Sequence, residues 1–368
     1  MKKKFFKNME WGILICSVLL LAIGMVALFS ATQNSDHEEF VKQGIWFLVS
    51  IPVIIFLMLI DYQFLCKISP VLYGIFIVLL IAVFFTAPIN GARSWFVLGP
   101  ISFQPAEVAK VFVIIFIAYI MNLLCKGKRS EINKLWKLGL VVLAAIVPIL
   151  LISRQPDYGT AMVYFVAICF MLFASGIKAK HIIAVLLLVV ILLPILYMFV
   201  LPEHAKKRIE IFLNPEQDPR GAGYNIIQSK LAIGSGELFG MGLFKGNQTQ
   251  LGFLYPKTTD FIFAVIGEEF GFFVSSIIVV LYVILITKAI YVAKTAKDDI
   301  GSYIAMGIAG MFFFHMTENI GMTIGLLPIT GIPLPFVSYG GSSLLTNFIA
   351  IAILLNISGR RQKAIFVE

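Results

Sequence analysis

Long apolar stretches separated by short polar segments dominate this chain. Ten of them are long enough to cross a bilayer as helices, because about 20 apolar residues span its hydrocarbon core. We place the spans at 10–31, 42–60, 65–86, 104–124, 138–154, 158–176, 181–201, 260–287, 301–326 and 338–357. The pattern therefore predicts an all-α polytopic membrane protein with about ten transmembrane helices.

One polar segment, residues 202–259 between the seventh and eighth spans, is much longer than the others. We predict a single integral-membrane domain over 1–368, with this loop as its largest part outside the bilayer. Residues 224–233 predict a short amphipathic helix at the interface. The glycines that follow predict an irregular turn. No strand precedes them, so they do not indicate a dinucleotide site.

Composition agrees with a polytopic membrane protein, and the distribution of charge predicts its orientation in the membrane. The chain is 60% hydrophobic and 13% charged, far from the values of soluble domains. Lys and Arg concentrate in MKKKFFK, CKGKRSEINKLWK and GRRQK, which the alternating spans place on one side. Because basic loops stay cytoplasmic, we predict that both termini are cytoplasmic and that the long loop is extracytoplasmic. Topology accounts for most of the net charge of +9, and no nucleic-acid partner is predicted.

Ionisable residues inside the spans, or at their ends, form the candidate site. Such residues are costly in a bilayer and usually functional or paired. With the predicted topology, nearly all of them occupy the outer half of the membrane and come from five parts of the chain. They are Arg93, Glu107, Lys110, Asp157, Asp260, His315 and Glu318.

Most of these residues also have a structural explanation. Glu107 and Lys110 are three apart and can pair along one helix face. Asp157 can cap the helix that it precedes. His315 and Glu318 can bond to a neighbouring helix.

Asp260 is the strongest functional candidate. If it lies on a helix, Ala264, Gly267 and Gly271 share its face. Small residues there either admit a neighbouring helix closely or leave room for a substrate. Glu268 and Glu269 point in other directions, so the three acids cannot all serve one site.

An enzyme acting at the outer face needs a donor that is already activated and held in the membrane. A sugar linked to a lipid diphosphate meets this need. Arg93 and Lys110 can neutralise the diphosphate, and an ionised carboxylate can take the proton of an acceptor hydroxyl.

Six motifs resemble the SEDS family (shape, elongation, division and sporulation), which is typified by RodA and FtsW. The resemblance covers nearly the whole chain, and the last two motifs are the most specific. The motifs are NGARSWF (90–96), FQPAEVAK (103–110), QPDYGTA (155–161), GYNIIQSKLAIGSG (223–236), TDFIFAVIGEEFG (259–271) and GIPLPFVSYGGSS (331–343).

This resemblance implies a peptidoglycan glycosyltransferase that polymerises lipid II into glycan strands on the outer face of the bacterial cytoplasmic membrane. The anomeric centre inverts, and undecaprenyl diphosphate leaves. The resemblance implies that Asp260 is the catalytic residue and that Glu107 and Lys110 lie in a membrane cavity. The other residues expected to bind substrate are Arg93, Gln104, Asp157, Ser338, Gly340 and Gly341.

The resemblance also implies partners. They are a class B penicillin-binding protein transpeptidase, other proteins of the elongation or division complex, and membrane lipids. The docking surface would be formed by lipid-facing faces of spans 8 and 9, by analogy, and by the large outer loop. No cofactor is identified. A divalent cation at the diphosphate stays open, but no ligand spacing indicates a metal site.

Two positions favour one branch of the family. Thr330 and Pro333 resemble the elongation and rod-shape branch, RodA, more than the division (FtsW) or sporulation (SpoVE) branches. The chain also departs from the family pattern, because Lys257 stands in a stretch where an acid and a histidine are common. This departure weakens any role for a second carboxylate just before Asp260.

Two rival functions use the same residues. A lipid II flippase needs a polar path across both leaflets, whereas a polymerase needs polar groups only at the outer mouth. The scarcity of charge in the inner halves of the spans favours the polymerase. A catalytically silent scaffold is the second rival, and it would tolerate Asp260→Ala.

Overall fold

The structure is a computed structural model, and it describes residues 2–33, 35–88, 92–99, 101–181, 183, 187, 203–218 and 221–361. Helices make up most of it. In chain order the helices of the described ranges are α1 (Lys2–Asn8), α2 (Trp11–Ala31), α3 (Glu38–Leu59), α4 (Tyr62–Ala82), α5 (Pro105–Cys125), α6 (Leu135–Arg154), α7 (Tyr158–Ala174), α8 (Glu203–Leu213), α9 (Ala222–Ser235), α10 (Asn247–Gln250), α11 (Ile262–Thr295), α12 (Asp299–Thr323) and α13 (Gly341–Gly359).

Short elements connect some of these helices. Three 3₁₀ segments cover Val83–Phe85, Arg129–Asn133 and Pro215–Gln217. Between α4 and α5, strands β1 (Phe96–Leu98) and β2 (Ile101–Phe103) form an antiparallel hairpin in which Phe96 faces Phe103. The sequence predicted only a loop here.

The predicted membrane class is confirmed. Eight helices of the described residues are long and apolar enough to cross a bilayer, and α7 is a ninth apolar helix of 17 residues. They match nine of the ten predicted spans within several residues. The predicted seventh span, 181–201, lies almost entirely outside the described residues.

The burial of the helices separates a centre from a periphery. The apolar window of α13 is 89% buried, whereas that of α3 is only 17% buried. Helix α13 packs against α3, α5 and α12, while α12 packs against α7 and α11. The outward faces of the peripheral helices carry exposed Leu, Ile, Val and Phe side chains, which suit contact with lipid tails.

Helix α11 is interrupted by a segment of the long loop. Gly271 has φ 73° and ψ −170°, a backbone that only glycine adopts readily. The amides of Phe272 and Phe273 donate to the carbonyls of Glu237 and Leu238 instead of to their own helix. The segment 237–242 therefore completes the backbone hydrogen bonds that the break leaves open.

The same segment also donates hydrogen bonds to the last free carbonyls of α11 before the break at Gly271. The amides of Met241 and Gly242 donate to the carbonyls of Glu268 and Glu269. A Cβ at Gly236 would lie 1.8 Å from the carbonyl oxygen of Gly267. A Cβ at Gly267 on α11 would lie 3.3 Å from Ile233 Cα on α9, so this small residue admits a neighbouring helix, the first of the two alternatives drawn from the sequence.

Two fully buried glutamates fasten the long loop to the bundle. Glu268 accepts from the backbone amides of Gln248 and Thr249 at 2.7 and 3.0 Å, and from the Thr249 hydroxyl at 2.6 Å. Glu269 accepts from the Ser30 hydroxyl at 2.7 Å and from the Gln250 side-chain amide at 2.9 Å. These hydrogen bonds offset the cost of burying Glu268 and part of that for Glu269, whose Oε2 is buried without a partner.

Candidate active site

A cavity of about 810 Å³, with several charged side chains in its lining, opens among the helix ends at one face of the bundle. Its walls come from the first turns of α5, α7 and α13, the start of α3, helix α8, and the turns before α11 and α13. Four of the acids that line it are Glu39, Glu107, Asp157 and Asp260, and its basic residues include Arg208 and Lys257. Distant parts of the chain thus meet in one space, as the sequence predicted.

Asp260 lies in the turn just before α11 rather than on that helix. The Asn319 side-chain amide on α12 donates to the carbonyl of Asp260 at 3.0 Å and to that of Ile332 at 2.9 Å. The Ser338 hydroxyl donates to the carbonyl of Thr259 at 2.6 Å. Asn319 and Ser338 therefore hold the Asp260 turn against the 331–338 segment.

The surroundings of Asp260 keep its carboxylate basic. Burial raises the pKa of Asp260 above its usual range, and the Thr259 hydroxyl and the charge of Arg208 partly oppose this rise. A carboxylate with a raised pKa is a stronger base once it is ionised. Gly331, at φ 78°, keeps the space beside it open, since a Cβ there would lie 3.3 Å from Asp260 Oδ2.

Asp157 is both a helix cap and a cavity residue. Its Oδ1 accepts from the Thr160 amide at 3.1 Å, and its Oδ2 accepts from the Gln104 side-chain amide at 2.8 Å. Burial raises the pKa of Asp157, the Thr160 hydrogen bond lowers it, and the nearby charge of Glu107 raises it further. Gln104, Glu107 and Asp157 form one polar wall of the cavity.

Lys110 lies behind that wall and joins α5 to α12. Its ammonium donates to Glu107 Oε1 at 2.9 Å and contacts His315 Nε2 at 2.9 Å. His315 Nδ1 lies 3.0 Å from the carbonyl of Pro333. The predicted i,i+3 pair is present, and His315 makes an interhelical bond, while Glu107 Oε2 is buried without a partner.

Four residues expected to bind substrate do not line this cavity. Arg93 donates through Nη1 to the carbonyl of Phe84 at 3.1 Å, whereas its neighbours Ala92 and Ser94 line the cavity. Lys110 is only 1% exposed and bound to Glu107. The other two, Ser338 and Gly341, lie in the backbone around the cavity, and Gly341 packs against the Trp46 indole.

The other expected residues do line the cavity: Gln104, Glu107, Asp157, Asp260 and Gly340. Sequence reasoning missed the cations that the cavity contains. Arg208 on α8 acts electrostatically on Asp260, and Lys257 donates to the carbonyl of Thr249 at 2.9 Å. Nothing in the basic stretch HAKKRIE distinguished Arg208, whereas Lys257 was visible as a departure from the family pattern.

A divalent cation at the diphosphate stays an open prediction. Among the described residues, no three His, Cys, Asp or Glu side chains are grouped closely enough to hold a metal ion.

The fold and the cavity define a polytopic membrane protein with a charged, water-accessible site at one face. A family model described as FtsW/RodA/SpoVE cell cycle protein matches residues 10–363. The chain belongs to this family.

Its relatives carry the names of both branches. The peptidoglycan glycosyltransferase MrdB of Escherichia coli K12 is 40% identical over 296 residues, which cover 80% of this chain and 78% of MrdB. The peptidoglycan glycosyltransferase RodA of Treponema pallidum is 31% identical over 98% of this chain and all of the relative. Proteins named FtsW match as well.

A solved structure has the same fold. It comes from work described as the structural coordination of polymerization and crosslinking by a peptidoglycan synthase complex. It matches this chain with a TM-score of 0.82 and 27% identity, covering 95% of this chain and 97% of the other.

Proposed function

We propose that this protein is a peptidoglycan glycosyltransferase that polymerises lipid II in the cavity, with Asp260 as the general base. The observation that carries the proposal is the Asp260 carboxylate lining a polar cavity with the charge of Arg208 beside it. The names of its relatives support the same reaction class.

In the proposed step, the acceptor's GlcNAc 4-hydroxyl attacks the anomeric carbon of the donor's MurNAc. The hydroxyl proton passes to Asp260 as the new C–O bond forms. The bond from the anomeric carbon to the diphosphate oxygen breaks with inversion, and its electron pair leaves with undecaprenyl diphosphate. General-base catalysis typically contributes 10²–10⁴-fold.

Arg208 and Lys257 are the proposed cations for the departing diphosphate. Both line the cavity, unlike Arg93 and Lys110. Burial lowers the pKa of Lys257, and the charges of Glu39 and Glu269 oppose this fall. Charge-assisted bonds to phosphate are the strong ones, so these side chains can stabilise charge that develops on the leaving group.

The cavity's position favours a polymerase over a flippase. The residues described at its walls come from helix ends and turns at one face of the bundle. A flippase requires a polar path through to the opposite face, and α13, at the centre, is an apolar and almost fully buried helix.

The direct test is a polymerisation assay on purified protein with labelled lipid II, run with and without a divalent cation chelator. We expect Asp260→Asn, which keeps the shape but removes the base, to lower the rate by at least about 100-fold. Asp36→Asn is the matched control, because Asp36 is exposed, lies outside the cavity lining and has a backbone that Asn tolerates. Normal polymerisation by Asp260→Asn would remove the proposed base.

The remaining parts of the proposal concern the membrane orientation, the partner protein and the branch of the family. We propose that the cavity faces outward with both termini cytoplasmic, and that a class B penicillin-binding protein docks on exposed apolar faces of α11 and α12. Thr330 and Pro333, which favour the elongation branch, both line the cavity. The elongation role stays a prediction, since relatives with either name match.

A further inference from the structure

A second, smaller cavity of about 280 Å³ lies at the opposite end of the bundle from the Asp260 cavity. It is bounded by the last residues of α7, the last turns of α11 and the first turns of α12. We call it the inner groove. Its apolar lining includes Phe173, Ile290 and Met306, and its polar lining consists of Arg129, Lys294 and Ser302.

The apolar part of the inner groove is continuous with the lipid-facing surface. Phe173 is 67% exposed at the end of α7. We expect an exposed aromatic side chain at the end of this apolar helix to face lipid rather than water. A molecule that fills the groove therefore needs an apolar part that runs along the helices into the bilayer.

The polar part carries positive charge that the protein does not neutralise fully. Arg129 is bound to Asp299, with Nε and Nη2 at 2.8 and 2.7 Å from Oδ1, and Nη1 lies 3.3 Å from the Ala174 carbonyl. Lys294 is exposed and takes part in none of the ion pairs of the described residues. The groove thus pairs an open ammonium and the Ser302 side chain with an apolar floor.

We propose that the inner groove is a binding site for an anionic phospholipid. The phosphate pairs with Lys294, with Ser302 and the edge of Arg129 beside it, and one acyl chain lies along Phe173, Ile290 and Met306. Basic pockets between transmembrane helices recognise anionic head groups in this way. This inference does not depend on the glycosyltransferase proposal, because it concerns other residues at the other end of the bundle.

The site is tested by measuring lipid retention on the full-length purified protein by native mass spectrometry. Phosphatidylglycerol and phosphatidylcholine of equal chain length are titrated against the wild type, Lys294→Gln and Lys297→Gln. Lys297 is an exposed lysine in the connection that follows α11, three residues beyond Lys294, and it does not line the groove. Both substitutions remove one charge, so bulk electrostatic attraction falls equally.

We expect Lys294→Gln to bind phosphatidylglycerol about fivefold more weakly than the wild type and Lys297→Gln. Phosphatidylcholine should bind all three proteins equally, and glycerol 3-phosphate, which lacks the chains, should not compete. Equal phosphatidylglycerol binding by the two variants would overturn the proposal. Lys294 would then have no role beyond its favourable charge at the C-terminal end of α11. No preference of the wild type for phosphatidylglycerol would overturn it as well.

Discussion

Asp260 combines two opposing influences on its pKa. Burial raises the pKa, while the Thr259 hydroxyl and the Arg208 charge lower it. The ionised form is the base, so activity should be lost as the pH falls through the pKa of Asp260. Because Arg208 favours the ionised form, removing its charge raises that pKa.

Arg208→Gln should therefore move the acidic limb of the pH profile of kcat/KM to higher pH. It should also lower the maximum rate, because a cation for the diphosphate is lost. The profile is measured with labelled lipid II. Lys207→Gln, an exposed lysine beside Arg208 on α8 that does not line the cavity, is the control. If the acidic limb did not move in Arg208→Gln, Arg208 would not influence the pKa of the base.

Asn319 is predicted to position the catalytic turn. Asn319→Asp keeps the shape but removes the amide donor that serves the carbonyls of Asp260 and Ile332. Each unpaired buried carbonyl costs about 1–3 kcal/mol, so the Asp260 turn should loosen. We expect kcat to fall at least tenfold with a smaller change in KM, since lipid II still binds the rest of the cavity.

The control for Asn319 makes the same kind of contact elsewhere. The Asn133 amide donates to the carbonyls of Ser130 and Gly176, both at 3.2 Å and in exposed positions. Asn133→Asp should leave polymerisation unchanged. If both variants lose the same fraction of activity, Asn319 has only a general structural role.

At single residues, the sequence predicted acids better than cations. Asp157, Glu107 and Asp260 stand in or beside apolar runs, where a carboxylate attracts attention because it is costly. Arg208 lies in a polar loop, where a cation costs nothing and is not distinctive. Arg93 was expected in the cavity, but its guanidinium donates to the carbonyl of Phe84, and the side chain does not line the cavity.

Among the elements, α11 differs most from its prediction. The apolar run starts near Asp260, so hydropathy places that residue on the helix, yet the helix begins at Ile262. Hydropathy does not register the hydrogen bonds that hold Thr259 and Asp260 in a turn, because their donors, Asn319 and Ser338, are remote in sequence. The break at Gly271 was also invisible, because its partners lie in the 237–242 segment.

Gly271→Ala should destabilise the protein markedly. Its φ of 73° is unfavourable for alanine, and a Cβ would lie 2.7 Å from the Leu238 carbonyl carbon and 2.3 Å from the Gly240 nitrogen. We expect a loss of about 1–3 kcal/mol or more, measured by thermal unfolding in one detergent.

The control for this prediction is Gly74→Ala in α4, where nothing lies within 4 Å of the added Cβ. Alanine is the better helix former by about 1 kcal/mol, so this variant should be as stable as the wild type or more stable. Equal unfolding temperatures for Gly271→Ala and the wild type would contradict the interpretation of the break.

For the whole molecule, hydropathy identified the spans because length and apolarity are properties of each segment alone. Nine of the ten predicted spans correspond to helices of the described residues. How these helices pack is a property of pairs of segments, which one sequence does not reveal. The central position of α13 and the convergence on one cavity therefore needed the structure.

The proposed orientation is tested with cysteine labelling of intact cells. Tyr255 is 72% exposed at the Asp260 cavity, and Lys297 lies in the connection at the opposite end. In a background without the four native cysteines, Tyr255→Cys should react with a membrane-impermeant maleimide. Lys297→Cys should react only after permeabilisation. The reverse pattern would invert the proposed topology.

The interruption at Gly271 also divides α11 into two parts, each hydrogen-bonded to the long loop. Below Gly271, its amides are tied to residues 237 and 238, while above Gly271 its carbonyls receive residues 241 and 242. If the part of α11 that follows Gly271 tilted, it would first strain these hydrogen bonds to residues 237–242. Such strain would reach residues 237–242 of the long loop first, whereas Asn319 and Ser338 hold the Asp260 turn independently of that segment.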